Sequence, residues 1–489
     1  MPAGTLFVNW LLAFPLAAAA ACAVYPRLRE AGHSPSGSLA AAAAGSVVMG
    51  VLTAGLLAFV GPTAWPMLGE YRWTPDLFQF RLRLGRIEAV FIVVLCWQVL
   101  LLAERRRAIA NAATQPSAAA EAREAVALCL LLATLAGAIV SRDLIAMIFF
   151  WQASAIPAAW LAVFCDPAGG RARTSWGTGF LVAHLAGSTA MLAASALVWA
   201  ETRTTDPFAA GMSLLFRAGA PERAASLLMF LGLAACVLAA AALGARLRQI
   251  LLVAPVITVG GFVLLRTWQL LFSEFVLGMS GGPMLWACAL AACGVLGASL
   301  MAQGPGMGFS LIAAGQAAFC LFAVAASGSG RALAGPAAAY LVAAGLALPA
   351  LAALADSLSE PPASVAARAA PRKAGSGPQI AGLAVAAALL LALLPLPWLS
   401  GGETLLAIGR GLWRDQIGPV LVLFCALAVM VVSVVFHVRR SDWSPPSRGG
   451  WQPLIALALA AVLAVAAVTG AGWARATAQQ MAQLTKEGG

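Results

Sequence analysis

Apolar runs of bilayer length recur along this chain from near its start to near its end. Each is about 18 to 25 residues, the length a helix needs to cross a hydrocarbon layer of roughly 30 Å at 1.5 Å rise per residue. A water-soluble core has no room for that much apolar surface. With 62% hydrophobic and 10% charged residues, the chain is far from the roughly 25% charge of soluble domains. The runs are continuous rather than alternating, so the reading is all-α, with no strand needed and no membrane barrel.

Boundaries set by Arg, Pro and Gly place about fourteen spans near 6–25, 39–62, 87–103, 124–140, 143–165, 178–200, 224–244, 250–276, 284–303, 308–328, 333–356, 379–400, 417–438 and 452–474. Residues 1–489 are read as a single transmembrane domain. The stretches 104–123, with Arg105, Arg106 and Arg107, and 357–378, with Pro361, Pro362, Arg368, Arg372 and Lys373, read as hydrophilic connecting loops. None is long enough for a soluble domain. The first run, Leu6 to Tyr25, has no preceding positive charge and is read as a retained helix rather than a signal peptide.

The excess of 30 Lys+Arg over 19 Asp+Glu could suggest nucleic acid, but the arginines are scattered singly through short loops, which suits headgroup contact and topology. Nucleic acid is therefore not expected as a partner. The nine cysteines lie in or beside apolar segments without Cys-x-x-Cys or nearby His spacing, and read as small buried hydrophobes rather than disulfides or metal ligands. The chain has no phosphate loop, nucleophile elbow or metal-ligand cluster in its sequence, so catalysis by this chain alone is not expected.

Polar groups in hydrocarbon are costly, which makes them the functional candidates of a membrane chain. Here they are few: Arg142 and Asp143 between two spans, Gln152, His184, Thr258, Arg266, Glu274, Gln316 and His437. Arg142 and Asp143 read as an interfacial charge pair, and His437, beside Arg439 and Arg440, as interfacial. Gln152 and Gln316 read equally as hydrogen-bonding glue between helices. His184 has two readings, a proton relay near neutral pH or a packed imidazole satisfied locally. Lys373 and Lys486 are the only lysines and fall outside the apolar runs, so no lysine can carry a proton at mid-depth.

Leu130 through Gly137, then Ser141-Arg142-Asp143 through Phe150, Gln152 and Pro157, resembles the antiporter-like membrane subunits of NADH-quinone oxidoreductase and of Mrp-type cation/proton antiporters. So do Leu181 through Leu192 with His184, Gly187 and Ser188, Gly260 through Arg266, and Ala302-Gln303 before Leu311-Ile312-Ala313. The resemblance covers roughly residues 70 to 360. It implies two inverted five-helix repeats and a place in a multi-subunit complex of the cell's inner (plasma) membrane.

The departures fall on the positions with which that family moves protons. Gln152 stands where it has a Glu, Thr258 and the neighbourhood of Phe309 where it has Lys, and Ala344 where it has His; its seventh-helix Lys would fall in the apolar stretch Val237 to Ala242. The resemblance therefore implies a divergent subunit of an NADH-quinone oxidoreductase-type or hydrogenase-type complex, with weak or no proton translocation of its own. No cofactor is expected on this chain, and quinone, flavin or iron-sulfur chemistry would come through partner subunits. The alternative is a proton- or sodium-coupled transporter, Mrp-like or of inorganic-carbon-uptake type, using His184 and Gln152. Gln152, His184, Thr258 and Arg266 are then the proton-path candidates.

Overall fold

A computed structural model describes residues 3–29, 37–59, 67–73, 80–112, 118–164, 170–214, 219–247, 250–357 and 400–440. The helices are α1 (Ala3–Arg29), α2 (Gly37–Phe59), α3 (Arg86–Ala112), α4 (Ala118–Val140), α5 (Leu144–Phe164), α6 (Gly170–Thr202), α7 (Pro207–Leu214), α8 (Ala220–Leu247), α9 (Ile250–Leu271), α10 (Glu274–Leu300), α11 (Pro305–Ser327), α12 (Ala334–Ser357), α13 (Ser400–Leu412) and α14 (Ile417–Arg440). Among the described residues ten helices are long and apolar enough to cross a membrane, and Asn9–Val24 and Ala334–Pro349 are shorter apolar helices. The chain is a polytopic helical membrane protein. Of the expected spans, 452–474 and all but Ser400 of 379–400 lie outside the described residues, as does all but Ser357 of the expected loop 357–378.

Within lipid a backbone can bury its polar groups only by bonding them internally, which is why uninterrupted helices follow from uninterrupted apolar runs. Burial sorts these helices into layers. The apolar windows of α9 and α11 are both 94% buried and form the centre, whereas those of α2, α6 and α10 are 39% buried and make the outer wall. Trp151, Trp268 and Tyr340 are the largest fully enclosed side chains of the core.

Four expectations are corrected here. Strands do occur: β1 (Met67–Trp73) and β2 (Phe80–Gly85) form an antiparallel hairpin that pairs Glu70 with Arg83 and Arg72 with Arg81. The alternation Arg81-Leu82-Arg83-Leu84 is its signal, with Leu82 and Leu84 buried and the arginines half-buried. The expected loop 104–123 is helical at both ends, because α3 runs on to Ala112 and α4 begins at Ala118. The expected span 250–276 breaks at Phe272, where Ser273 caps α10, so Glu274 opens a helix instead of closing one. A short helix, α7, also lies between α6 and α8; Pro207 supplies its first turn and Asp206 accepts from the Phe208 N–H at 2.9 Å.

Candidate functional site

Charged side chains gather at the turn between α4 and α5. Arg266, in the last two turns of α9, donates to the carbonyl oxygens of Ala138 (3.3 Å), Ile139 and Ser141 (2.7 Å). These are carbonyls that the C-terminus of α4 leaves without intrahelical donors, and the guanidinium fork suits them in geometry and in charge. Glu88 of α3 completes the arrangement at 3.7 Å from Arg266, and the Phe262 ring lies under the guanidinium at 5.4 Å.

The hairpin docks on the same turn through Leu82, bridged to Ser141, and through the Arg142 N–H donating to the Arg81 carbonyl at 2.8 Å. The expected charge pair divides between other partners. Asp143 accepts from the N–H groups of Ile145 (2.9 Å) and Ala146 (3.1 Å) as the cap of α5, and from the Thr205 hydroxyl. Arg142 instead approaches Asp206 at 3.8 Å, beside Arg81 at 2.9 Å. Burial holds the Asp143 carboxyl above the ordinary carboxylate range, its hydrogen bonds pull it back down, and the nearby Asp206 charge pushes it up further.

Gln152 and His184, on neighbouring turns of α5 and α6, do meet. The Gln152 Oε1 lies 3.3 Å from His184 Nδ1, and since an amide oxygen only accepts, Nδ1 carries the hydrogen. The imidazole is fully buried, stacked on Trp151 at 5.2 Å and met edge-on by Phe180 at 5.5 Å. Its Nε2 has no hydrogen-bond partner among the described residues. A relay needs a donor or acceptor on both ring nitrogens, and this ring has a side-chain partner on one.

Thr258 belongs to a separate group. Gln98 of α3 donates its amide hydrogens to Thr258 Oγ1 (2.9 Å) and to the Gly345 carbonyl (2.7 Å), tying α3 to α9 and α12. The second bond has a definite cause: the residue four beyond Gly345 is Pro349, which has no N–H to return to that carbonyl. Gln98 supplies the missing donor. Replacing Gln98 with Leu should therefore cost about 1–3 kcal/mol. The same change on a Pro349→Ala background should cost far less, since that substitution restores a backbone N–H and with it the intrahelical bond. A double-mutant cycle on thermal stability in detergent checks this; equal costs on both backgrounds would refute it.

The same logic accounts for other polar groups of the interior. Gln269 donates to the carbonyl of Ser327, the last residue of α11, at 2.9 Å. Arg106 donates to Leu161 O in the last turn of α5 at 3.2 Å. His437 is buried among the helices, with Nε2 at 2.7 Å from Ser299 O at the end of α10. Gln316 is bonded between helices, accepting from Tyr340 at 2.9 Å and facing Met430 Sδ at 3.1 Å. Among the described residues no hydrogen bond joins the Gln152–His184 pair, Thr258 and Arg266 into one path, and no group of three or more His, Cys, Asp or Glu side chains is placed to hold a metal ion. Gln98 and Gln269 are absent from the candidates that the sequence supplies, although a Gln inside a span is a visible signal. What they serve, a helix end or a proline on another helix, is not visible there.

The apolar residues at several of the positions where the resemblance departs from that family are enclosed, while Leu238 and Ala242 of the stretch Val237 to Ala242 face outward. Phe309, Ala344, Val237 and Ala240 are all fully buried. The fold is that of a multi-pass helical membrane protein. The sequence matches no protein-family model and no curated protein. Solved structures do match: a chain of respiratory complex I from Thermus thermophilus with bound NADH is 18% identical, with 99% of this chain and 100% of that one covered and a TM-score of 0.76. A chain of the membrane-bound sulfane sulfur reductase, an archaeal respiratory membrane complex, is 16% identical over 97% of both chains with a TM-score of 0.74. A chain of the Mrp complex from Dietzia sp. DQ12-45-1b is 16% identical, covering 99% of this chain and 98% of that one, with a TM-score of 0.73. The chain has the fold of these proteins.

Proposed function

We propose that this chain is a divergent antiporter-like membrane subunit of an NADH-quinone oxidoreductase-type or hydrogenase-type complex, resident in the inner (plasma) membrane, with weak or no proton translocation of its own. It packs and positions neighbouring membrane subunits. Any quinone, flavin or iron-sulfur chemistry resides in those partners, and the chain is not catalytic alone. One observation supports this reading above others: Arg266, Gln269, Gln98, Arg106 and His437 are each bonded to backbone carbonyls at helix ends or at a proline. Polar side chains so engaged hold a scaffold, whereas proton carriers need groups that titrate and reorient.

Purification in mild detergent followed by identification of co-purifying chains tests the assignment to a complex. Stoichiometric membrane partners together with redox subunits are expected, and a chain that purifies alone in monodisperse form would contradict it. The contact of Gln152 with His184 keeps a second reading open, a proton- or sodium-coupled transporter of Mrp-like or inorganic-carbon-uptake type. Arg cannot release a proton under ordinary conditions, so His184 would bear the exchange. Transport that survives His184→Ala removes this reading.

A further inference from the structure

Gln152 places a side-chain amide at the outer wall of the bundle near mid-depth. It is the ninth of the 21 residues of α5 and is half-buried. Phe149, Ile156 and Trp160 share its helix face at helical spacing and are 64%, 66% and 37% exposed. α6, which packs against α5, adds exposed Val182 and Leu185. The Gln152 carbonyl accepts from His184, but the amide nitrogen has no acceptor among the described residues, so its two N–H donors are left over. Beside it, half-buried Ala153 has a carbonyl without its usual intrahelical donor, because the residue four further on is Pro157, which has no N–H. Hydrocarbon tails neither donate nor accept, and an unpaired amide among them is costly. The other outer wall differs: α10 exposes Met279 and Leu290 and contains no Asn or Gln.

We propose that the α5 face around Gln152 docks a transmembrane helix of a different, neighbouring subunit, one that brings a Ser, Thr, Asn or Gln side chain to mid-depth. Such a side chain accepts from the Gln152 N–H groups and donates to the Ala153 carbonyl, while Phe149 and Ile156 supply the apolar surface on either side that the partner helix covers. Lipid cannot take this place, because phospholipid ester oxygens lie at the headgroup boundary and not at the middle of a span. The proposal rests on the assignment of the chain to a membrane complex.

The whole complex in intact membranes tests it, by photocrosslinking from benzoylphenylalanine placed at Ile156 or, in a second preparation, at Leu290, followed by mass spectrometry of the adducts. From Ile156 the expected adduct is a transmembrane peptide of another chain with a Ser, Thr, Asn or Gln within one turn of the linked residue; from Leu290 it is lipid. Gln152→Leu, which removes the donors and keeps the bulk, should lower the Ile156 adduct at least fivefold while the Leu290 adducts stay as they were. Lipid adducts alone from Ile156, in a preparation where other membrane subunits co-purify, would overturn the proposal and leave the assignment to a complex standing. An adduct with a second copy of this chain, or with a partner helix lacking those side chains, would also overturn it. Absence of any co-purifying membrane chain would overturn both.

Discussion

Arg266→Ala should lose about 3–5 kcal/mol, the usual cost of removing one partner from a buried ion pair, and should leave little monodisperse protein. The change orphans three carbonyls at the end of α4 and strands the Glu88 carboxylate, whose side chain is 18% exposed against 15% for Arg266. The damage should spread, because Ser141 is also the residue on which the hairpin bridges. Arg266→Lys keeps the charge but not the fork, so it should recover part of the loss by holding Glu88 while satisfying fewer carbonyls. Thermal unfolding in detergent and the monodisperse fraction on size exclusion read the effect. Wild-type stability in Arg266→Ala would mean that the guanidinium is not what closes α4.

Gly187→Val should be comparably damaging for a different reason. A Cβ at Gly187 would lie 2.3 Å from the Gly232 carbonyl and 2.5 Å from Cys236 Sγ, and one at Gly232 would lie 2.5 Å from the Gly187 carbonyl. The two backbones of α6 and α8 therefore touch through both glycines, the kind of close approach that small residues permit between membrane helices. Backbone cannot yield as a flexible side chain does. Gly187→Ala should cost about 1–3 kcal/mol and Gly187→Val more than that. Gly179 lies on the same helix with nothing within 4 Å of its Cβ position, so Gly179→Ala should leave stability unchanged. Equal stability of the Gly187 and Gly179 variants would contradict the crossing.

Much of this architecture is legible in the sequence because lipid imposes one rule on every span. Uninterrupted apolar length means helix, and the starts of α5, α6 and α9 follow from it within a few residues or a turn or two. The hairpin escapes such a reading because Arg81-Leu82-Arg83-Leu84 is too short to register against runs several times its length, and the break at Phe272 because Ser273 caps a helix without interrupting its apolar run. At the site, the sequence reveals which residues are polar but not what they bond. Gln152 and His184 lie far apart in the chain yet meet, whereas Arg142 and Asp143 are adjacent and turn to different partners. Gln98 takes its meaning from Pro349 on another helix, a relation that only packing creates. The departures from the resemblance at Thr258, Ala344 and near Phe309 are expectations read from the motifs, and the structure adds that Phe309 and Ala344 are fully buried.

The central claim is that the scaffold persists without a working proton path, and flux through the purified chain measures it directly. Reconstituted alone into proteoliposomes carrying a pH-sensitive dye, the chain should collapse an imposed proton or sodium gradient no faster than protein-free vesicles. Rapid, protein-dependent dissipation that disappears in His184→Ala would contradict the account and install His184 as a carrier.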